Sequence, residues 1–439
     1  MKKENKFQTI LFRIAEFVDS NKYLSTIKNA FTFYIPFIIA GSLASLFNNV
    51  ICNEVTGLAS FDALNFLKVL SPFFTAVNYA TMSIMSLVLV VLIGYLLGKE
   101  NKIQPYFAAV IALVSFVSLI PQNAVGIAED GSQVIVNALA ADTFNARGLF
   151  LAMIVAILSV ELLTRLMKIE KIKLSLPKGV PANIASSFNL LLPIAITIFT
   201  FGLIGYLTHE LSGDYLNNLI YFILQKPLEV VVQHPAGILV LVLVSQILWV
   251  LGIHGGLVIA PIRNPLFVAA LAANIAAVEA GLQPTNAVTM GYWFVFCGIG
   301  GSGTTLSLIV AIFIASKRSE HRAVAKFSLL PGLFGVSEPV VFGLPVVLNP
   351  VMAIPFVLAG MIAAALPLFA TAINFIPAPV VDVPLGVPVI LNALIGYQTI
   401  NAVILQIIIF VICIFVYLPF VYMLNRATPS DDEEMIEAN

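Results

Sequence analysis

The chain has 439 residues, of which 60% are hydrophobic and only 10% are charged, and its mean hydropathy is +1.00. Soluble domains carry about 25% charged residues, so this composition excludes an ordinary water-soluble protein. The formal net charge of −1 argues against a nucleic-acid partner. Apolar stretches of roughly 20 residues, the length that spans a bilayer as a helix, recur along the chain and predict an all-α, polytopic transmembrane protein.

The N-terminal segment 1–28 contains a helical apolar stripe and is expected to form a cytoplasmic amphipathic helix. The stripe consists of Phe7, Ile10, Leu11, Ile14, Phe17 and Val18, with lysines elsewhere. A helix lying in the membrane interface and a soluble helix docked on the protein both explain this spacing. The segment lacks the short apolar core of a signal peptide.

Ten membrane spans follow in chain order. They are predicted at about 29–51, 72–98, 104–121, 147–167, 187–208, 236–253, 256–280, 287–316, 351–373 and 398–424. Basic clusters lie at the N-terminus and within 99–102, 165–178 and 317–326, whereas the loop 121–145 has acidic residues and no Lys or Arg. By the positive-inside rule, the clusters and both termini are cytoplasmic and the acidic loop is outside.

The stretch 212–235 separates the fifth span from the sixth. It is too polar to span a membrane and too apolar to be a free linker, so we expect a helix on the membrane surface. This segment connects a five-span domain (29–211) to a second five-span domain (236–424). Residues 425–439 form an acidic cytoplasmic tail. The three cysteines lie far apart, without the spacing of a metal site or a disulfide framework, and no cofactor is expected.

The stretch "WVLGIHGG" ends the sixth predicted span. Its histidine, His254, is flanked on both sides by glycines, which let the backbone turn sharply and let a ligand approach closely. A buried, hydrogen-bonded structural histidine is the alternative. Trp249, five residues earlier, offers an aromatic face that can stack on the C–H surface of a sugar ring.

The stretch "CGIGGSGTTLSL" lies inside the eighth predicted span. Its four glycines weaken the helix, and its hydroxyls include that of Thr304. Close helix packing through small residues and an unwound, polar cavity wall explain this stretch equally well. A phosphate loop is excluded, because the lysine that should follow is absent.

The segment from Leu330 to Pro350 contains four prolines and three glycines, which no continuous helix tolerates. Because the segment is apolar and follows a basic loop, we expect a re-entrant hairpin of the kind that transporters use to build substrate sites. Glu338 sits at its centre, where an ionisable group is unfavourable unless it is solvated or paired. The alternative is a carboxylate at a helix N-terminus before Pro339.

Asn183 opens the fifth span, just after Pro181, and is either a hydrogen-bond partner for a polar ligand or a helix cap. Weaker candidates are Arg147, Glu161, Arg263 and Asp382. Glu, His, Asn and Trp side chains that face a membrane cavity suit a sugar, because its hydroxyls need paired donors and acceptors.

Two motifs carry a resemblance to a known family. The strings "GIHGG" and "SEPVVFGLPVVLNP", together with "YIPFIIAGSL" and "RGLFLAMIVAI", resemble the membrane-spanning IIC component of the phosphoenolpyruvate-dependent sugar phosphotransferase system. The similarity is to its lactose/cellobiose/chitobiose family and extends along nearly the whole chain. The ten spans, two hairpins and cytoplasmic termini of that family agree with the assignment made from the apolar segments and charges.

The resemblance implies a permease of the bacterial cytoplasmic membrane, a homodimer whose first five spans form the dimer scaffold. The later spans would hold a disaccharide such as cellobiose, lactose or chitobiose and carry it inward by moving against the scaffold. It also implies that Glu338 and His254 contact the sugar near its 6-hydroxyl, which Glu338 orients or activates. A separate cytoplasmic IIB protein, supplied with phosphate by IIA, would donate the phosphate from a phosphocysteine.

Two departures from the family pattern bear on the sugar. Ser337 stands where members often carry Asn in N-I-N-E-P, and 384–388 reads "PLGVP" where members often read P-W-T-T-P. Ser337 and Thr304 are included among the expected sugar contacts. The alternative function is a proton-coupled secondary sugar transporter with Glu338 and His254 as a proton relay. A membrane-embedded enzyme finds no support, since no nucleophile–base pair or metal-ligand set stands out in the sequence.

Overall fold

The computed structural model describes residues 16–17, 20–54, 57–127, 133–139, 141–172, 182–344, 346–383 and 385–426. The predicted amphipathic stripe lies almost entirely outside these residues, as does the acidic tail from residue 427 onward. The described chain is mostly helical, in agreement with the prediction of a helical membrane protein. It separates into two compact units, with the main division between Leu228 and Glu229 and with the short segment Ser45–Val50 grouped with the later residues.

The first unit comprises Ser20–Ala44 and Ile51–Leu228. Its helices are α1 (Lys22–Phe47), α2 (Ser71–Asn78), α3 (Met85–Glu100), α4 (Pro105–Val117), α5 (Ala141–Phe144), α6 (Leu149–Leu166), α7 (Ala182–Ser212), α8 (Leu216–Ile220) and α9 (Lys226–Gln233). The end of α1 and most of α9 belong to the second unit. Short 3-10 or π segments at Asn48–Cys52, Leu58–Ser60, Asp62–Leu70, Tyr79–Ser83, Ala146–Gly148, Glu170–Ile172 and Tyr221–Gln225 continue or connect them.

Small residues bring α3 and α4 into close contact. A Cβ added to Gly94 would lie 2.8 Å from the carbonyl oxygen of Ala108, and one added to Gly98 would lie 2.6 Å from the Ala108 Cβ. Any larger side chain at either glycine would push the two helices apart. Lipid offers no hydrophobic driving force between helices, so such close packing is a main source of their association.

A β-hairpin follows α4. Its strands are β1 (Asn123–Ile127) and β2 (Gln133–Asn137), which pair antiparallel with Val125 opposite Ile135. The prediction of an all-α chain with a simple acidic loop was therefore incomplete. The run Val134–Ile135–Val136 explains the strand, because β-branched residues favour extended backbone and the loop is too short to span a membrane.

The second unit comprises Ser45–Val50 and the described residues from Glu229 onward. Its helices after α9 are α10 (Pro235–Val250), α11 (Gly255–Glu279), α12 (Met290–Tyr292), α13 (Thr305–Ala315), α14 (Ser319–Leu333), α15 (Glu338–Gly343), α16 (Pro350–Ala372), α17 (Leu391–Tyr397) and α18 (Ile400–Arg426). A π segment at Trp293–Cys297 and a 3-10 turn at Ser302–Thr304 lie between α12 and α13.

Glycines in left-handed backbone conformations mark both predicted helix breaks. Between Cys297 and α13, Gly300 and Gly301 have φ values of 78° and 95°. Between α14 and α15, Gly335 has a φ of 82°. A residue with a Cβ is strained in this region of backbone space, so the glycines permit each helix to stop and restart.

Seven of the described helices are long and apolar enough to cross a membrane, or nine if each of two bent pairs is one span. The bent pairs are Asp62–Ser83 with Met85–Glu100, at 44°, and Leu216–Gln233 with Pro235–Val250, at 82°. Helix α4, which covers most of the predicted third span, is a shorter apolar helix. The multi-pass architecture is confirmed, whereas the count of ten and the orientation of the termini stay predictions.

Helix α18 provides hydrogen bonds to the interrupted backbone. The Tyr417 hydroxyl donates to the Gly303 carbonyl at 2.5 Å, and the Gln406 amide donates to the Val295 carbonyl at 2.7 Å. The Gln406 side-chain oxygen also accepts from the Ile390 N–H at 2.7 Å. Backbone groups released by a broken helix at membrane depth need such partners, because the hydrocarbon core offers no water.

Candidate functional site

His254 caps the N-terminus of α11. Its Nδ1 accepts a hydrogen bond from the Leu257 N–H at 3.2 Å, which fixes the orientation of the ring. Because Nδ1 accepts, the ring proton of a neutral imidazole lies on Nε2. That Nε2 faces the Oε1 of Glu338 at 3.5 Å. Two residues far apart in the sequence therefore meet where α11 and α15 begin.

A tight turn between α10 and α11 holds His254 in this position. A Cβ added to Gly255 would lie 2.0 Å from the carbonyl oxygen of Ser245, so only glycine allows the start of α11 to rest against α10. Gly252, two residues before the histidine, has a φ of 83°. The glycines predicted to permit a sharp turn therefore do so on both sides of His254.

Glu338 is the first residue of α15, directly before Pro339. Its side chain is 45% exposed and that of His254 is 39% exposed, so a ligand can reach both. Glu338 lies outside the membrane-spanning helices, and the contact with His254 holds the pKa of its carboxyl below the usual value, although partial burial opposes this. The structure combines the two interpretations that the sequence left open. Glu338 stands at a helix N-terminus, and its carboxylate is also paired with His254 and accessible.

Trp249 lies behind His254 and does not face open space. Its side chain has 0% exposure, and its ring centroid is 4.3 Å from that of His254 and 6.2 Å from that of Phe342. A buried ring cannot stack on a sugar, so the prediction of Trp249 as a direct contact does not fit this structure. Sequence spacing alone could not distinguish a ring lining a cavity from one supporting the imidazole.

Ser337 and Thr304 are also buried, in contrast to the prediction that they contact sugar. Ser337 keeps 4% of its surface exposed, and a Cβ added to Gly301 would lie 2.5 Å from the Ser337 Cβ. Thr304 has 0% exposure, and its hydroxyl donates to the Gly303 carbonyl at 2.7 Å. Ser337 therefore packs the two helix breaks together, whereas Thr304 bonds within its own turn. The glycine-rich stretch is both unwound and closely packed.

Asn183 belongs to the first turn of α7 in the first unit. Its side chain lies outside the described part of the structure, so its proposed contact with a ligand stays a prediction. Two of the weaker candidates, Arg147 and Glu161, also lie in the first unit. The Arg147 guanidinium carbon lies 4.8 Å from the ring centroid of Tyr221, and Glu161 binds Lys22 at 2.6 Å.

The other two weaker candidates, Arg263 and Asp382, are buried and interact electrostatically in the second unit. Arg263 is 7% exposed, and its guanidinium carbon lies 4.7 Å from the centroid of Trp293. Asp382 is 2% exposed and accepts a hydrogen bond from the Val383 N–H at 3.0 Å. Asp382 lies between α16 and α17, outside the spanning helices, and burial raises the pKa of its carboxyl to about 7, although the Val383 N–H and Arg263 oppose this. A lone arginine in an apolar helix was the sequence signal for this pair, but nothing in the sequence identified its partner.

Comparison with known proteins gives one consistent result. The family model described as "Phosphotransferase system, EIIC" matches residues 28–360. Among curated proteins, the chain is 32% identical to the oligo-beta-mannoside-specific EIIC component of Bacillus subtilis (strain 168), over 92% of this chain and 90% of that protein. It is 27% identical to the cellobiose-specific EIIC component of Lactococcus lactis subsp. lactis (strain IL1403), over 91% of this chain and 93% of that protein.

A solved structure also matches along the chain. The crystal structure of ChbC, the IIC component of the N,N'-diacetylchitobiose-specific phosphotransferase system, aligns with a TM-score of 0.88 at 26% sequence identity. The alignment covers 96% of this chain and 98% of that one.

Proposed function

Since this chain belongs to the EIIC family of the phosphotransferase system, we propose that it moves a β-linked disaccharide across the bacterial cytoplasmic membrane while the sugar is phosphorylated. The relatives whose names specify oligo-β-mannoside, lichenan, cellobiose and chitobiose all point to this class of sugar. Cellobiose, lactose, chitobiose and β-mannobiose are the first substrates to test. IIB, with IIA upstream, is the proposed source of phosphate.

The observation that carries the proposal is the pair formed by His254 and Glu338. Its two side chains are half-exposed at helix termini, in a chain that is otherwise 60% hydrophobic. An imidazole N–H and a carboxylate 3.5 Å apart offer one donor and one acceptor group to a sugar hydroxyl that comes between them or beside them. Ionisable side chains are energetically unfavourable in an apolar protein, and recognition of a sugar explains why this pair is present.

Glu338 is proposed to orient the 6-hydroxyl of the sugar and to accept its proton. The hydroxyl oxygen attacks the phosphorus of the phosphocysteine on IIB, the phosphorus–sulfur bond breaks, and the cysteine leaves as a thiolate. A carboxylate within hydrogen-bond reach of the attacking hydroxyl provides general-base assistance, which is worth about 10²- to 10⁴-fold in rate. His254 is proposed to keep Glu338 ionised in the free protein and to donate its single Nε2–H to the sugar when the sugar comes between the two side chains.

The two compact units are proposed to have different tasks. The first unit would form the scaffold of a homodimer, and the second unit would carry the sugar. The support for this division is that the paired His254 and Glu338 and both glycine-marked helix breaks lie in the second unit. Broken helices in membrane transporters commonly build the substrate site.

Transport by cells that express the chain tests the proposal. Uptake of radiolabelled cellobiose, lactose, chitobiose and β-mannobiose is measured in a host with and without the phosphocarrier proteins, and the products are analysed for sugar phosphate. Accumulation of a sugar phosphate only when the carriers are present supports group translocation and identifies the sugar. Accumulation of free sugar without the carriers, driven by a proton gradient, would contradict the proposal and favour a proton-coupled transporter.

A further inference from the structure

Arg263 lies on the same face of α11 as Gly256, because residues seven positions apart on a helix are stacked two turns from each other. Long helical side chains point toward the helix N-terminus, and the N-terminal end of α11 is capped by His254. The Arg263 guanidinium therefore extends toward the end of the helix that carries the candidate site.

Three contacts hold the guanidinium in one orientation. Its Nε and Nη2 donate to the Asn264 side-chain oxygen at 3.2 Å and 3.0 Å, and its plane lies near the ring of Trp293. Asp382 also interacts with the guanidinium electrostatically. The remaining nitrogen of the guanidinium, Nη1, has no hydrogen-bond acceptor among the described residues of the protein.

Gly256 leaves a small space between this nitrogen and the histidine. A Cβ added to Gly256 would lie 3.4 Å from the Cε1 of His254 and 3.9 Å from the Nη1 of Arg263. His254 and Arg263 therefore approach the glycine from the same side. Because Gly256 has no side chain and is partly exposed, a ligand atom that contacts its backbone comes close to both groups. An oxygen atom in that space lies beside a ring and close to an N–H donor.

We propose that Arg263 is a further sugar-binding residue, whose Nη1 donates a hydrogen bond to a sugar oxygen that occupies the space above Gly256 beside His254. This inference rests on the proposed function and adds a third contact to the same site.

Calorimetric titration of the purified full-length protein tests this contact. Wild type is titrated with the β-disaccharide that it binds and with each monodeoxy analogue. One monodeoxy analogue is expected to bind about 10- to 100-fold more weakly, because a hydrogen bond to a charged donor is lost. The same titrations are made with Arg263→Gln combined with Asp382→Asn, which removes both buried charges together.

The double variant is expected to bind the parent sugar about 10- to 100-fold more weakly and not to distinguish it from that one analogue. A purely structural role for Arg263 would leave the ratio of the two affinities unchanged, and that result would overturn the inference. If wild type binds no β-disaccharide, the proposed function fails first, and the inference fails with it.

Gly256→Ala provides a second variant in case the double variant does not fold. The added methyl group fills the space and meets only ordinary contacts, so the fold is expected to persist. It should weaken binding of the parent sugar and have less effect on the analogue that lacks the oxygen. Unchanged binding of the parent sugar by Gly256→Ala would contradict the proposal.

Discussion

One ion pair in each compact unit shows how the same chemistry is used in two ways. In the first unit, Lys22 contacts Glu161 at 2.6 Å and Asn101 at 2.8 Å, and Asn101 donates in turn to Glu161 and Thr164. In the second unit, His254 faces Glu338 at 3.5 Å, and both side chains are more than a third exposed. The carboxylate of the first pair is enclosed by hydrogen-bond donors, whereas the carboxylate of the second pair remains open to a ligand.

The two pairs differ in how completely the carboxylate is hydrogen-bonded, and this difference predicts a structural role for the first pair and a ligand-binding role for the second. The Glu161 side chain is only 14% exposed, and Lys22 and Asn101 both donate to its Oε1. Glu338 is 45% exposed and keeps acceptor capacity toward the open side. We therefore expect substitutions of the first pair to change stability and substitutions of the second to change transport.

The largest effect is expected for Glu338→Gln. The amide cannot accept the hydroxyl proton, so the rate of sugar phosphorylation should fall by about 10²- to 10⁴-fold. Phosphorylation is measured in membrane vesicles supplied with phosphorylated IIB, and folding is checked by size-exclusion chromatography. Glu161→Gln is the matched control, with the same change of side chain. Equal losses of phosphorylation in both variants at equal protein levels would contradict the functional assignment.

His254→Ala is expected to have the next largest effect. It removes a hydrogen-bond donor next to Glu338 and also the cap of α11. Sugar affinity should fall by about 10- to 100-fold, which calorimetric titration measures directly. His254→Asn keeps a side-chain acceptor for capping and separates the two roles, because asparagine is a favoured N-cap residue. Recovery of stability without recovery of affinity would support sugar contact, whereas recovery of both would indicate capping alone.

Glu161→Gln itself should reduce stability without changing transport by the protein that remains folded. The substitution leaves Lys22 without its anionic partner and weakens the bond from Asn101. Because the Lys22 side chain is 38% exposed, solvent screening limits the loss to about 1–2 kcal/mol. The melting temperature in detergent measures this loss. A normal melting temperature with impaired transport would show that the Lys22–Glu161 pair has a functional role and would contradict the structural role assigned to it.

The smallest effect is expected in the pH dependence of stability. The pKa of Glu338 is held below its usual value of 4.5, so the pair stabilises the folded state above that pH. This contribution is lost as the pH falls through the lowered pKa of the carboxyl. Acidification should therefore reduce the melting temperature of wild type more than that of Glu338→Gln. Parallel melting profiles of the two proteins over this range would show that the contact with His254 does not stabilise the fold.

Much of this arrangement was predictable because glycine and proline leave clear signals in an apolar sequence. The glycines around His254 and the prolines around Glu338 indicated interrupted helices, and the structure has breaks at both places. Ionisable residues within the apolar segments are few and energetically unfavourable, so each one indicates a partner, a solvated position or a functional site. The family assignment depended on the same two motifs.

The remaining features depend on contacts that sequence spacing does not encode. Whether the Trp249 ring faces a cavity or supports His254 depends on how α10 rotates against its neighbours. Arg263 and Asp382 lie on elements separated by many residues, and only the folded chain brings their charges into interaction. The β-hairpin after α4 was missed because a short run of β-branched residues carries little weight beside long apolar helices.

The hydrogen bonds from α18 have a consequence for the order in which the protein is assembled. The carbonyls of Val295 and Gly303 belong to a segment made well before the final helix, yet their partners Gln406 and Tyr417 are on α18. During synthesis from the N-terminus, these carbonyls therefore lack these partners until α18 has entered the membrane. A chain truncated before α18 would expose the unpaired carbonyls of this segment to the bilayer and become a target for membrane proteases. This would happen even though such a chain contains both His254 and Glu338.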